Sequence, residues 1–179
     1  MCGMIATLSV DSQNSTETTL LVDVGTNGEM VLATTDKLVS CATAAGPAFE
    51  GREISMGMPA SAGAISSIWA ENGNILYRTL KNAPAKGLCG TGILSGVRTM
   101  LECGILDDTG LIEEDGHDYT DFIISVEEQP AFQIAGTDIV ITQKDIRKIQ
   151  LAKAAIAAGV DTMLHELSIH PSSVTATYL

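Results

Sequence analysis

The residue types most able to do chemistry sit in one short stretch. Leu20-Leu21-Val22 runs into Asp23, then Val24-Gly25-Thr26-Asn27-Gly28-Glu29, then the apolar Met30-Val31-Leu32. A strand, a turn and a strand of this kind can hold the phosphates of a nucleoside triphosphate. Gly25 and Gly28 let backbone N–H groups approach phosphate oxygens, and Thr26 adds a hydroxyl donor. Asp23, at the end of an apolar strand, can hold a water of hydrated Mg²⁺. The same residues also read as a plain hairpin. Asn-Gly between two alternating runs is the strongest short-range hairpin signal and needs no ligand. On these residues alone both readings stand.

A second glycine cluster, Gly90-Thr91-Gly92-Ile93-Leu94-Ser95-Gly96, approximates a dinucleotide fingerprint with the last Gly one place late. No convincing strand precedes it, because Ala83-Pro84-Ala85-Lys86 intervenes, so a Rossmann reading is weak. Gly90-Thr91-Gly92 at a helix N-terminus can still bind an anion through free N–H groups and the helix dipole. It can equally be a Gly-rich helix start that allows close packing. Other constellations fail on geometry. His165 and His170 are five positions apart, which puts their rings about 140° apart on a helix and rules out a shared zinc there. Ser61 lacks the first Gly of a nucleophile elbow. Cys2, Cys41, Cys89 and Cys103 form no Cys-x-x-Cys pair and read as reduced, mostly buried thiols.

The elements that must position these residues follow from pattern. Residues 20–24 and 29–33 make the hairpin, and 38–41 extends it to a three-strand meander. Residues 11–19 read as a polar loop after a short N-terminal helix or strand. Residues 42–64 are dense in Gly, Ala, Ser and Met, which prevents a long regular element. Such a segment is a functional loop or a packed irregular crossing, and its length favours the loop. Residues 65–69 and 75–79 flank Glu71-Asn72-Gly73-Asn74, a second hairpin signal, expected as an insertion outside the main core. Residues 93–101 are helical by period, stopping near Gly104; 107–119 is an acidic loop. Residues 122–126 and 139–141 read as strands, with 131–134 a third. Thr142-Gln143-Lys144-Asp145 is a capping-box variant that opens the clearest helix, over 142–168. Ile146, Ile149, Ile156, Val160, Met163 and Leu167 form its apolar face, interrupted by Lys153; Gly159 is expected to loosen or end its first part. Residues 174–178 are β-prone. The fold class is α/β with a mixed sheet.

The bulk numbers bound the rest. A chain of 179 residues with 45% hydrophobic content suits one domain. Its net charge of −12 argues against nucleic acid and against anionic membrane surfaces. Ten of its 22 acidic residues lie between Glu102 and Glu128, the signature of a solvated face rather than a metal site. With no leader-like start and no apolar run of spanning length, a cytoplasmic location is expected.

Four segments together resemble a known family. They are Leu21-Val22-Asp23-Val24-Gly25-Thr26-Asn27-Gly28-Glu29, Ala44-Ala45-Gly46-Pro47-Ala48-Phe49-Glu50-Gly51, Gly87-Leu88-Cys89-Gly90-Thr91-Gly92, and Ile141-Thr142-Gln143-Lys144-Asp145-Ile146-Arg147 with Gln150-Leu151-Ala152-Lys153-Ala154-Ala155-Ile156. In this order they resemble the C-terminal region of the reductive activators of corrinoid proteins. Those proteins join a [2Fe–2S] domain to an ATPase of the ASKHA superfamily, which includes acetate and sugar kinases, heat-shock chaperone ATPases and actin. The resemblance implies an RNase H-like lobe over 1–179, with 19–41 as phosphate hairpin and meander and 64–80 as a hairpin insertion. It implies ATP and Mg²⁺ as ligands of the full-length family and a corrinoid protein as partner. Asp23 would hold a Mg²⁺-bound or attacking water, with Gly25, Thr26, Asn27 and Gly28 on phosphates. Gly90, Thr91 and Gly92 would be further cofactor contacts. The resemblance also implies that this chain is the second-lobe piece. The first lobe, the iron–sulfur domain and an adenosine loop expected just after Tyr178 are missing from it. ATP hydrolysis is then expected only in a complete two-lobed protein. The alternative is a catalytically inactive lobe serving as a docking or dimerisation module, with the missing first lobe or a second copy of itself as partner.

Overall fold

Apolar alternation along residues 18–33 decides the first sheet. In a computed structural model that describes residues 18–179, β1 (Thr18–Val24) and β2 (Gly28–Ala33) pair antiparallel, with Leu20 opposite Leu32 and Val22 opposite Met30. Those four side chains share one face of the sheet. β3 (Leu38–Thr43) adds to β2, completing the expected meander. The N-terminal element and most of the 11–19 loop fall outside the described residues; Thr18 and Thr19 belong to β1.

The chain divides into two compact units. The first holds β1–β3, the part of the long helix from Lys153 onward, and β10 (Val174–Tyr178), which pairs parallel with β1. Its sheet order is β10-β1-β2-β3, a mixed sheet. Leu20, Val22, Met30 and Leu32 pack with Met163 and Leu164 into one core.

The second unit, Pro47–Ala152, lies in sequence between β3 and the later turns of that helix. It contains β4 (Ala64–Glu71), β5 (Asn74–Thr79), β6 (Gly87–Leu88) and helix α1 (Gly90–Glu102). The antiparallel strands β7 (Ile123–Val126), β8 (Gln129–Gln133) and β9 (Val140–Thr142) follow, then the start of helix α2 (Gln143–Leu167). The β4–β5 hairpin, expected outside the main core, is part of it. Ile65, Ile68 and Ile75 are 0%, 3% and 1% exposed, and they pack with Ile93 and Met100 of α1 and with Phe132, Ile141 and Ile146.

Helix α1 meets β4 through hydroxyls as well as apolar side chains. β6 is only two residues long and pairs with Ala64 and Ile65, so β4 lacks a strand partner on that side further along. Ser95 Oγ accepts from the Ile68 N–H at 3.0 Å, and Thr99 Oγ1 donates to the Ile68 carbonyl at 3.0 Å. Two side chains thus do for Ile68 what a neighbouring strand would do.

Helix α2 runs unbroken through Gly159. The expected break does not occur, because this glycine serves packing. A Cβ there would overlap Met30 Cε and lie 2.9 Å from Thr43 Cγ2. No helix among the described residues is long and apolar enough to cross a membrane.

Candidate functional site

The Asp23 hairpin belongs to the first unit. β1 alternates, with Leu20 and Val22 facing the core and Asp23 exposed. The loop is Gly25-Thr26-Asn27, because Val24 already pairs with Gly28. This is a three-residue connection, and neither Asn27 nor Gly28 has positive φ. The two-residue primed turn that Asn-Gly favours is therefore not what forms. Gly28 is needed for space instead: a Cβ would stand 2.9 Å from Thr43 Oγ1 and 3.1 Å from Ile156 Cγ1. The loop is pinned at its tip. Gly25 N–H donates to Asn27 O at 3.2 Å, and Gly46 N–H donates to Thr26 O at 2.9 Å. Gly46 lies at φ 76, a backbone conformation that favours glycine. The Ala-Gly-Pro segment after β3 thus braces the hairpin.

Asp23 lies directly opposite Glu29 across the two strands. Like charges in that relation destabilise a sheet unless a cation stands beside them. Among the described residues no ion pair neutralises either carboxylate. Thr26 and Asn27 are exposed at the tip beside them. The donor set fits a hydrated Mg²⁺, which binds through one or two carboxylates and keeps several waters. Of groups of three or more metal-ligating side chains there is none among the described residues.

Gly90, Thr91 and Gly92 lie in the second unit, at the first turn of α1. A two-residue strand does precede them, where none was expected: β6, parallel to β4. Its shortness hid it. Both glycines are explained by close approach. A Cβ on Gly90 would overlap the Phe49 carbonyl oxygen, and one on Gly92 would overlap that of Ile65. Cys89, just before the helix, hydrogen-bonds through Sγ to Ile65 O at 3.3 Å and lies 3.4 Å from Thr91 Oγ1. Gly92 is buried and Thr91 exposed.

The glycine-dense 42–64 segment is a packed crossing rather than a free loop. Ala48 and Ile54 are buried, Met58 N–H donates to Leu88 O at 2.8 Å, and Leu88 N–H donates to Met56 O at 2.8 Å. Gly57 bridges to Leu88 in parallel. Glycines at 51, 57 and 87 each press against a backbone oxygen. Here backbone packs on backbone.

The segment Thr142 to Gln150 is a positioning device, which sequence reasoning missed beyond its cap. Asp145 is fully buried. Its Oδ2 accepts from the Thr142 N–H at 3.0 Å and hydroxyl at 2.8 Å; its Oδ1 accepts from the Ser55 N–H at 2.8 Å and hydroxyl at 3.0 Å. Gln143 donates to Gly110 O at 2.7 Å and accepts from the Ile112 N–H at 2.8 Å. Arg147 and Gln150 both donate to Thr109 O, at 2.8 and 2.9 Å. The first turns of α2 thereby hold both the 51–58 crossing, through Asp145, and the loop after α1, through Gln143, Arg147 and Gln150.

That loop is organised by Asp107, whose carboxylate accepts from Leu111 N–H at 2.7 Å and from Thr109 N–H and hydroxyl. These bonds, with Leu111 first, hold its carboxyl below the ordinary value of 3.8. A depressed folded value means the stabilisation is present above the unfolded value and is lost as pH falls through the folded one. Acidification below about pH 3.8 should therefore free the Leu111 amide, seen as faster hydrogen exchange there. In Asp107→Ala, which removes the acceptor, that amide should exchange fast at neutral pH too; an unchanged acid response in the variant would show that another group governs the loop.

The meander, helix and parallel strand of the first unit, with an aspartate at the hairpin, define an ASKHA domain of mixed α/β type. Residues 17–179 match the C-terminal domain of RACo, the ASKHA domain, and the chain belongs to that family. It is 38% identical over 152 residues to the corrinoid activation enzyme RamQ of Eubacterium limosum, covering 78% of this chain and 26% of that protein. It is 28% identical over 194 residues to the Co(II) methylated amine-specific corrinoid protein reductase of Methanosarcina barkeri, covering 96% and 33%. Among solved structures, a reductive activator for corrinoid, iron–sulfur protein superposes with a TM-score of 0.82 at 37% identity, over 95% of this chain and 28% of that one. The chain is thus homologous to reductive activators of corrinoid proteins and spans between about a quarter and a third of their length.

Proposed function

We propose that this chain supplies the second phosphate-binding hairpin of the nucleotide site in an ATP-dependent reductive activator of corrinoid proteins. The observation that carries the reading is the Asp23 carboxylate, exposed beside Thr26 and Asn27 on a hairpin braced from two sides. Asp23, with Glu29 behind it, holds a water of hydrated Mg²⁺. Bound Mg²⁺ supplies charge to offset the phosphates. Thr26, Asn27 and the backbone N–H groups of the loop donate to phosphate oxygens, and the brace from Gly46 keeps them aimed. Gly90, Thr91 and Gly92, in the second unit, offer helix-start N–H groups as further cofactor contacts in this reading, although their packing accounts for both glycines. The rest of the site comes from a first lobe. A corrinoid protein is the partner the relatives' names point to.

The test uses a longer protein with both lobes. Asp23→Ala should lower ATP hydrolysis by about 100-fold or more, the usual scale for losing a group that positions the reacting atoms. Calorimetric titration with MgATP should show weakened binding. Unchanged MgATP affinity and turnover would remove Asp23 from the site.

A further inference from the structure

A slot of about 490 Å³ opens in the second unit along strand β5. Four consecutive residues of that strand, Asn74 to Tyr77, line it. Successive side chains of a strand point to opposite faces, so four in a row can meet one cavity only along the strand's edge. That edge is free. The sheet order is β5-β4-β6, and the backbone of Asn74 to Tyr77 bonds to β4 alone among the described residues. Every second residue of β5 thus presents its N–H and C=O to the slot. The turn between β8 and β9 adds Ala135 and Gly136 to the lining, and no atom lies within 4 Å of the Gly136 Cβ position. One charged side chain lines the slot, Glu71 at the end of β4; no lysine or arginine does. Glu71 is exposed and makes no ion pair among the described residues. Asn74 lies directly opposite it and donates its amide to Asn72 O at 3.2 Å, which leaves the Asn74 side-chain oxygen as a second acceptor.

We propose that β5 takes an added strand here: an extended segment of a partner protein whose backbone pairs with the free edge and whose Lys or Arg side chain reaches Glu71 and Asn74. Strand addition draws affinity from main-chain hydrogen bonds and specificity from the side chains beside them. The edge carries none of the devices that block such pairing, since Asn74-Ile75-Leu76-Tyr77 has no proline and no charge. Glu71 fixes the sign of the partner. A carboxylate and an amide oxygen with no competing cation match an ammonium or guanidinium group. The net charge of −12 also draws a basic segment in before contact. A small free amine would use Glu71 and leave the edge idle, whereas an extended segment uses both. The inference is independent of the nucleotide reading, since no residue is shared.

The probe is a short labelled peptide of alternating threonine and valine with one arginine near its end, added to the whole chain. Two N-methylated twins each lack one alternate set of N–H groups but keep the charge and side chains. Only one set can face β5, so one twin should lose binding and the other keep it. Expected results are a rise in peptide anisotropy, slower hydrogen exchange at alternate amides of β5, and affinity about tenfold or more weaker in Glu71→Lys, the scale of losing a charged anchor. Circular dichroism melting checks that the variant is folded, and Glu71→Gln provides a milder version. A peptide with glutamate in place of arginine should not bind. The proposal is overturned if anisotropy stays flat, if both twins bind like the parent peptide, if the β5 amides exchange unchanged, or if Glu71→Lys or the glutamate peptide binds equally well. It is also overturned if light scattering shows a self-association that protects the same β5 amides without peptide, which would make the occupant a second copy of this chain.

Discussion

Asp145→Ala should cost about 3–5 kcal/mol of folding stability, a large share of the total for a domain of this size. The reasoning rests on what the carboxylate leaves behind. Two backbone N–H groups and two hydroxyls, from Ser55 and Thr142, all point at it, and the residue is 0% exposed. Alanine removes every acceptor and leaves the four donors of Ser55 and Thr142 without the carboxylate that joins them. Hydrogen bonds to an ionised acceptor are also stronger than neutral ones, which raises the loss. Asp145→Asn separates these effects from mere loss of volume. Its amide keeps the shape but turns an NH₂ toward one of the donor pairs, so it should lose nearly as much. Urea unfolding, with the midpoint falling and the slope unchanged, measures both. If the Asn variant is as stable as the parent, the network carries little and the cost in Ala is a cavity.

Gly92→Ala should be comparably damaging, although local preference argues the other way. In an exposed helix the change would gain about 1 kcal/mol. Here the new Cβ would overlap the Ile65 carbonyl oxygen, part of the backbone of β4. Neither partner is the flexible end of a side chain, so α1 must move off the sheet. Ile93 and Met100, both 0% exposed, would move with it. A net loss of about 3 kcal/mol or more follows, lowering Tm by roughly 10 °C. Gly73→Ala makes a useful contrast. Nothing lies within 4 Å of its Cβ position, and only its φ of 75 resists the change, so it should cost about 1 kcal/mol. Thermal melts of the pair distinguish crowding from backbone conformation. Equal melts would refute the crowding argument.

Much of the fold was legible because it rests on local pattern. The alternation of Leu20, Val22, Met30 and Leu32 fixed the first hairpin, and the Thr142–Asp145 spacing fixed the start of α2. What escaped depends on partners distant in sequence. The hairpin at 64–79 looked peripheral because its buried isoleucines are balanced by Ser66, Ser67 and Glu71; its partners in α1 and β8 are not visible from within it. β6 escaped because two residues carry no period. The glycines at 90 and 92 suggested an anion, yet each faces a carbonyl oxygen of another element. For the Asp23 hairpin, sequence supplied the residues, but not the three-residue connection that sets Asp23 opposite Glu29, nor the brace from Gly46.

The two hydroxyls on Ile68 have a mechanical consequence. A helix lying on a sheet through apolar contacts alone can slip along its axis at modest cost, because one methyl group replaces another. Ser95 and Thr99 remove that freedom. They are four residues apart, one turn, and serve the N–H and the carbonyl of one residue, Ile68. A slip of one residue in either direction would leave both groups unpaired at once. Helix α1 is therefore keyed to β4 like a tooth in a ratchet.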